Sequence, residues 1–185
     1  MKREAILNAA LHLFTTQGFH GTPTSQIAKV AEVATGTLFH HFKTKEHLIN
    51  TLYADLKNEM KEHIQQDIES ETSIYKKIYT LWYNCIKWGL HHPEKRAFLN
   101  QFGHSPYITQ LTKEEAMNHF SFVYNLLEDG QSQDIIKPIP SDLLHTVIYG
   151  LISSTTEYFI LHPEQFEHAQ HRDESFKLFW DCIKI

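Results

Sequence analysis

Three features of the sequence predict an all-α fold. Apolar residues recur every three or four positions almost throughout, strand-like alternation of useful length is absent, and the interruptions are helix stop and start signals. About nine helices are expected. They divide into a three-helix N-terminal domain, residues 1–47, and a helical C-terminal domain, residues 48–185.

The first helix is expected over 3–17, where Leu7, Ala10, Leu11 and Phe14 form one stripe and Gly18 stops it. Thr22 suits the N-cap of a second helix with Pro23 at its first position, ending near Ala31. A third helix covers 35–41. The fourth begins near Thr44, with Glu46 in the first turn, where the helix dipole favours an acid. Leu48, Leu52, Leu56, Met60, Ile64 and Ile68 recur every four residues, one stripe long enough to serve both domains. A turn at 70–73 leads to a fifth helix carrying Ile74, Ile78, Leu81, Cys85 and Trp88. It stops at His91-His92-Pro93. A short helix is expected over 93–102, a connection over 103–112, a helix over 113–128 and a loop over 130–140. The helix at 142–162 is apolar on most of its circumference and so must be buried on more than one side. The last, at 172–184, presents Phe176, Phe179, Trp180 and Ile183. Two such final helices suit an intersubunit bundle as readily as a monomer core.

The chain has 185 residues, enough for one large or two small cores, and its 42% hydrophobic content excludes a disordered chain. No apolar run approaches the roughly 20 residues that span a bilayer. The amphipathic N-terminus lacks a signal-peptide core, and Cys85 and Cys182 fit a reducing compartment, so a cytoplasmic protein without a membrane partner is expected. The net charge of −5 is unevenly spread. Residues 1–47 hold five basic and three acidic side chains, a net of +2, against −7 for the remainder. A polyanion would meet the N-terminal end and be repelled by the rest.

The most specific segment is Thr22–Leu48. It reads as two short helices separated by a tight break and followed by a long helix, the sequence form of a helix-turn-helix. Ile27, Ala28 and Ala31 form the inner face of its first helix, Val33 fills the turn, and Leu38 and Phe42 anchor the second from beneath. Thr35, Thr37, Phe39, His40 and His41 remain for the outer face: hydroxyls for phosphates or base edges, and an aromatic ring for a thymine methyl. The run Ile27-Ala28-x-x-Ala31-x-Val33-x-x-Gly36-x-Leu38-Phe39-x-x-Phe42-x-x-Lys45-x-x-Leu48 closely resembles the N-terminal domain of the TetR (tetracycline-repressor) family of transcriptional regulators. The motif covers about residues 4–48; the rest is similar only in architecture.

That resemblance implies a homodimer bound to double-stranded DNA at a palindromic operator, usually as a repressor released by a small effector in the C-terminal domain. It places DNA contacts on Thr24, Ser25, Thr35, Gly36, Thr37, Phe39 and His40, with Lys45 touching a phosphate. Three positions depart from the family pattern. Glu32 replaces a frequent turn glycine, Ala34 a capping serine and Phe39 a tyrosine. A left-handed backbone at Glu32 would carry strain, and a helix opening at Ala34 lacks a side-chain cap worth roughly 1 kcal/mol.

The C-terminal aromatics suit core packing, and a subset could line a cavity for an apolar or aromatic effector. Tyr79, Tyr83 and Phe102 are the candidates. The dimer is expected through the helices at 142–162 and 172–184, with the fourth helix coupling effector to DNA by its tilt. No cofactor or metal is expected, because the 14 histidines show no ligand-like spacing. No phosphate-binding glycine loop or nucleophile elbow suggests an enzyme. The competing reading is a helical ligand-binding or adaptor protein whose helix-turn-helix no longer binds DNA.

Overall fold

The computed structural model describes residues 1–103 and 105–185 and is helical almost throughout. Residue 104, inside the connection expected over 103–112, lies outside the described residues. Eleven helices form among the described residues: α1 (Lys2–Gln17), α2 (Thr24–Val30), α3 (Thr35–His41), α4 (Lys45–Ile64), α5 (Ile74–His91), α6 (Pro93–Phe102), α7 (Gln110–Asn118), α8 (Ser121–Ser132), α9 (Ser141–Leu161), α10 (Pro163–Glu167) and α11 (Ala169–Ile183). No strand forms among the described residues. One isolated antiparallel bridge joins Ile136 to Lys184.

The helices gather into two compact units: Met1–Glu59 with Pro93–Asn118, and Met60–His92 with His119–Ile185. In the first, α1 packs against α2, α3 and α6. Its core is built from Ile6, Leu7, Ala10, Phe14, Ile27, Leu38, Phe42, Leu48, Phe98 and Phe102, all buried. In the second, α5, α8, α9 and α11 enclose Ile78, Trp82, Leu127, Leu144, Ile148, Phe159, Phe176 and Phe179. The stripe of α4 is buried at Leu48, Leu52, Leu56 and Ile64 and half-buried at Met60, and the buried Ile68 follows beyond the end of the helix.

Several boundaries differ from expectation for local reasons. Thr22 does not cap α2. It is fully buried, and its hydroxyl lies 3.0 Å from the Leu13 carbonyl and 2.7 Å from that of Gly18. One carbonyl lies near the end of α1 and the other on the residue just after it. With that side chain spent on the preceding helix, α2 opens at Thr24 behind an N-cap of Pro23. The helix expected over 113–128 is two helices: α7, opened by Thr109 Oγ1 accepting from Thr112 N at 3.1 Å, and α8, whose Val123, Leu126 and Leu127 join the second core. Gly130 lies in the last turn of α8 rather than in a loop. A Cβ there would fall 2.5 Å from Ile136 Cδ1, so any side chain at 130 would require the Ile136 side chain to shift. The fourth helix stops at Ile64, where Asn84 Nδ2 donates to the carbonyls of Ile64 and Gln66. A short α10 appears because Pro163 opens it and Phe166 is buried. α11 starts at Ala169 rather than near 172.

Candidate nucleic-acid interface

The corner between α2 and α3 is built by backbone hydrogen bonds alone. Glu32 N donates to Lys29 O at 3.2 Å and Val33 N to Ala28 O at 2.9 Å, the paired closure of a Schellman turn. That closure requires a left-handed residue at Glu32, whose φ is +53°. Ala34 then opens α3 in an extended conformation without a side-chain cap. Leu38, fully buried, and Phe42, nearly so, hold α3 from beneath. The packing roles and both local costs therefore stand as the residues predict.

The outward face of this corner is open. Ser25, Thr35, Gly36, Phe39 and His40 are exposed, and Thr24 and Thr37 half-exposed. Phe39 is 40% exposed, a large apolar side chain left in water on a helix whose other apolar residues are covered. A Cβ built on Gly36 would meet nothing within 4 Å, so internal packing does not require glycine there.

The basic residues are not all free to face an anion. Lys2, Lys29 and Lys43 are exposed. Arg3 pairs with Asp55 at 2.9 Å and lies 5.8 Å from the Phe42 ring. Lys45, expected to face a phosphate, is turned inward: its ammonium donates to the Phe19 carbonyl and sits 4.3 Å from the Phe19 ring centroid. Burial lowers its pKa, partly offset by Glu46. The physical reason is the bend at Gly18, with φ of +72°, which brings the Phe19 carbonyl within reach of the first turn of α4.

This second corner, between α1 and α2, also gathers residues that local sequence patterns do not reveal. Tyr107 stacks on Phe19 with ring centroids 4.1 Å apart and planes 13° from parallel. Its phenol oxygen lies 2.5 Å from His20 Nε2. Asn50 of α4 donates to Tyr107 O and accepts from Thr109 N, both at 2.9 Å. Tyr107 lies 87 residues from His20, so no short-range pattern could have found it.

Of the three effector candidates, the structure brings two together. Tyr79 and Tyr83 stack on one face of α5, with centroids 6.3 Å apart. Tyr79 meets Phe176 edge-on at 4.8 Å, and Tyr83 stacks on Phe166 at 5.5 Å. Phe102 is placed elsewhere: it is 2% exposed in the core of the first unit, where it packs on Phe14 and Phe98. The last turn of α6 faces α1, which gives Phe102 a packing role. Tyr79 also lines an open groove of about 670 Å³ between α5 and α11, with Tyr75, Phe176 and Trp180.

Residues 6–52 match the model of bacterial regulatory proteins of the tetR family, and residues 73–183 match a tetracyclin repressor-like C-terminal domain. A crystal structure of a chain from Shewanella sp. PV-4 assigned to the TetR family of transcription regulators is 37% identical and superposes with a TM-score of 0.92, covering 100% of this chain and 99% of that one. The fatty acid metabolism regulator protein of Bacillus subtilis is 23% identical over 88% of this chain and 85% of its own length. The fold is also that of the transcriptional regulator FadR from Bacillus subtilis, solved in complex with stearoyl-CoA, at a TM-score of 0.76 and 21% identity over 95% and 96% of the two chains. With both halves matched in order and an exposed helix-turn-helix at the expected place, the chain belongs to the TetR family of DNA-binding transcription regulators.

Proposed function

We propose that this regulator is a homodimer that represses from a palindromic operator and is released by a small apolar effector. The observation that carries the reading is the outer face of α3. Thr35, Gly36, Phe39 and His40 are exposed together, and nothing in the protein's own packing accounts for a glycine at position 36. Glycine at an exposed helical position costs roughly 1 kcal/mol against alanine. Close approach of a phosphate backbone is a physical reason to keep it. Thr24, Ser25 and Thr37 flank that face with hydroxyls that reach phosphates or base edges. Lys45 joins them by exchanging the Phe19 carbonyl for a phosphate. In the dimer the two α3 helices enter successive major grooves about 34–36 Å apart.

The proposed dimer uses α9 and α11. On α9, Leu143, Val147, Tyr158 and Leu161 are exposed and fall on one face, with Gly150 open between them. On α11, Leu178 is 72% exposed, and Ile185 just beyond the helix is exposed with it. Apolar stripes of that kind usually mark an interface. Effector contacts are assigned to Tyr79 and Tyr83, the paired rings on α5. That the FadR structure from Bacillus subtilis holds stearoyl-CoA supports an apolar, acyl-like effector. α4 is one continuous helix whose residues belong to the first unit up to Glu59 and to the second from Met60, which makes it the coupling element. Effector and DNA each weaken the other by one coupling free energy, typically about 1–3 kcal/mol.

Gly36→Ala tests the reading. Thermal stability should hold or rise, by up to about 1 kcal/mol. Affinity for duplex DNA from upstream of the protein's own coding sequence, read by fluorescence anisotropy at two salt concentrations, should fall at least tenfold. Unchanged affinity in this variant, with the parent binding well, would remove α3 as the reading helix. Parent protein that binds no duplex leaves the adaptor reading in its place.

A further inference from the structure

We infer that Tyr107 is a positioning residue for operator binding: from the connection between α6 and α7, it holds the α1–α2 corner that aims the start of α2. This rests on the DNA-binding reading above. Tyr107 lies within the stretch matched to the C-terminal domain, 73–183, and outside the stretch matched to the DNA-binding domain, 6–52. In space it belongs to the same compact unit as α1–α3.

The geometry is that of a clamp. Phe19 is buried, and its ring is covered by Tyr107 at 4.1 Å. The phenol reaches the next residue, His20, so one side chain grips two successive positions of the corner. The clamp is anchored independently. The amide of Asn50 binds the backbone of Tyr107 through its nitrogen and that of Thr109 through its oxygen, which fixes the connection to α4. Ser105 Oγ accepts from Tyr107 N at 3.1 Å, and the adjoining Ile108 is 2% exposed, so the segment has little freedom to withdraw its ring.

The consequence reaches α2 within a few residues. Phe19 O accepts from Thr22 N at 3.4 Å, and Thr24 and Ser25 follow Pro23 directly. An unclamped Phe19 leaves that stretch tied through Lys45, the Thr22 hydroxyl and the contact of Phe19 with the Phe14 ring. Lys45 is the group that DNA phosphate would draw away. Tyr107 therefore keeps the corner ordered when the lysine is engaged elsewhere.

The test uses the full-length protein and the variants Tyr107→Ala, Tyr107→Phe and Asn50→Ala. Two measurements are made: anisotropy with the same upstream duplex, and hydrogen exchange without DNA. Tyr107→Ala should raise the operator Kd about tenfold with the parent's salt dependence unchanged, since no phosphate contact is removed. Tyr107→Phe keeps the stacked ring and should raise it two- to threefold, with Asn50→Ala in between. Exchange should quicken at amides 19–25 and stay near the parent's rate in α3 and α6. Equal affinity of all three variants with the parent overturns the inference, as does faster exchange spread evenly over the first unit. If Tyr107→Ala does not fold, the phenylalanine and Asn50 variants decide by the same two measurements. Parent protein that fails to bind the duplex overturns the DNA-binding reading instead, and the exchange measurement still tests the clamp by itself.

Discussion

The two corners that bound α2 are held in opposite ways. The α2–α3 corner is closed by neighbours in sequence: Glu32 and Val33 bond back to Lys29 and Ala28, Glu32 accepts a left-handed backbone, and Ala34 leaves α3 uncapped. The α1–α2 corner is closed by groups from far along the chain. Thr22 ties it to α1, Lys45 of α4 takes the Phe19 carbonyl, and Tyr107 covers the Phe19 ring. α3 thus hangs from a locally strained turn, while α2 before it is braced at long range. Removing one bond from a braced corner exposes buried aromatic surface. Changing a residue in a local turn alters only its own backbone cost. The two corners should therefore respond to mutation with different size and sign.

The largest effect is expected at Phe19. Phe19→Ala removes the ring that meets Phe14, Lys45 and Tyr107 and should cost about 3 kcal/mol or more in denaturant unfolding. A loss under 1 kcal/mol would mean the first corner is no better braced than the second. Lys45→Ala comes next. It should lower stability by about 1 kcal/mol through the lost cation–ring contact and carbonyl bond, and lower the slope of log affinity against log salt by about 0.9. A stability loss with an unchanged slope would confine Lys45 to the corner and take the phosphate role from it.

The second corner should respond with the opposite sign. Ala34→Ser supplies the missing cap and Glu32→Gly relieves the left-handed backbone. Each should raise stability, by about 1 kcal/mol for the cap and 0.5–1 kcal/mol for the glycine, read by thermal melts. The smallest effect lies outside both corners. Hydrogen bonds from Lys184 and Lys177 hold the Asp181 carboxyl down at about 2, below its usual 3.8. Since the folded pKa is depressed, its contribution is complete above pH 4 and fades as the pH falls through about 2. The melting temperatures of the parent and Asp181→Asn should converge over that window. A difference that stays constant from pH 5 to 2 would remove the assignment.

Much of the candidate interface was legible because its determinants are local. Leu38 and Phe42 at four-residue spacing placed the buried side of α3, and the Thr35–His40 face followed by exclusion. The unfavourable positions at Glu32 and Ala34 were readable for the same reason: a backbone turn and a cap depend on a handful of consecutive residues. Thr22 was misread because a hydroxyl that can cap the following helix can equally pair with the carbonyls of the preceding one, and only the packing of α1 decides between them. Phe102 was grouped with the two tyrosines because buried aromatics of cores and of pockets share one composition, and the structure gives it packing partners in the core of the first unit. The break between α7 and α8 was hidden by a helical pattern that runs on across it.

By itself the sequence determined the helical class, the α2–α3 corner and the family, because periodicity, turn closure and a short motif are properties of residues a few positions apart. Only the tertiary structure decided where Lys45 points, that Tyr107 and Asn50 belong with the DNA-binding helices, and that Tyr79 and Tyr83 stack on one another. Those outcomes depend on which distant side chain arrives within 3 to 4 Å of a carbonyl or a ring. That is settled by how whole helices pack.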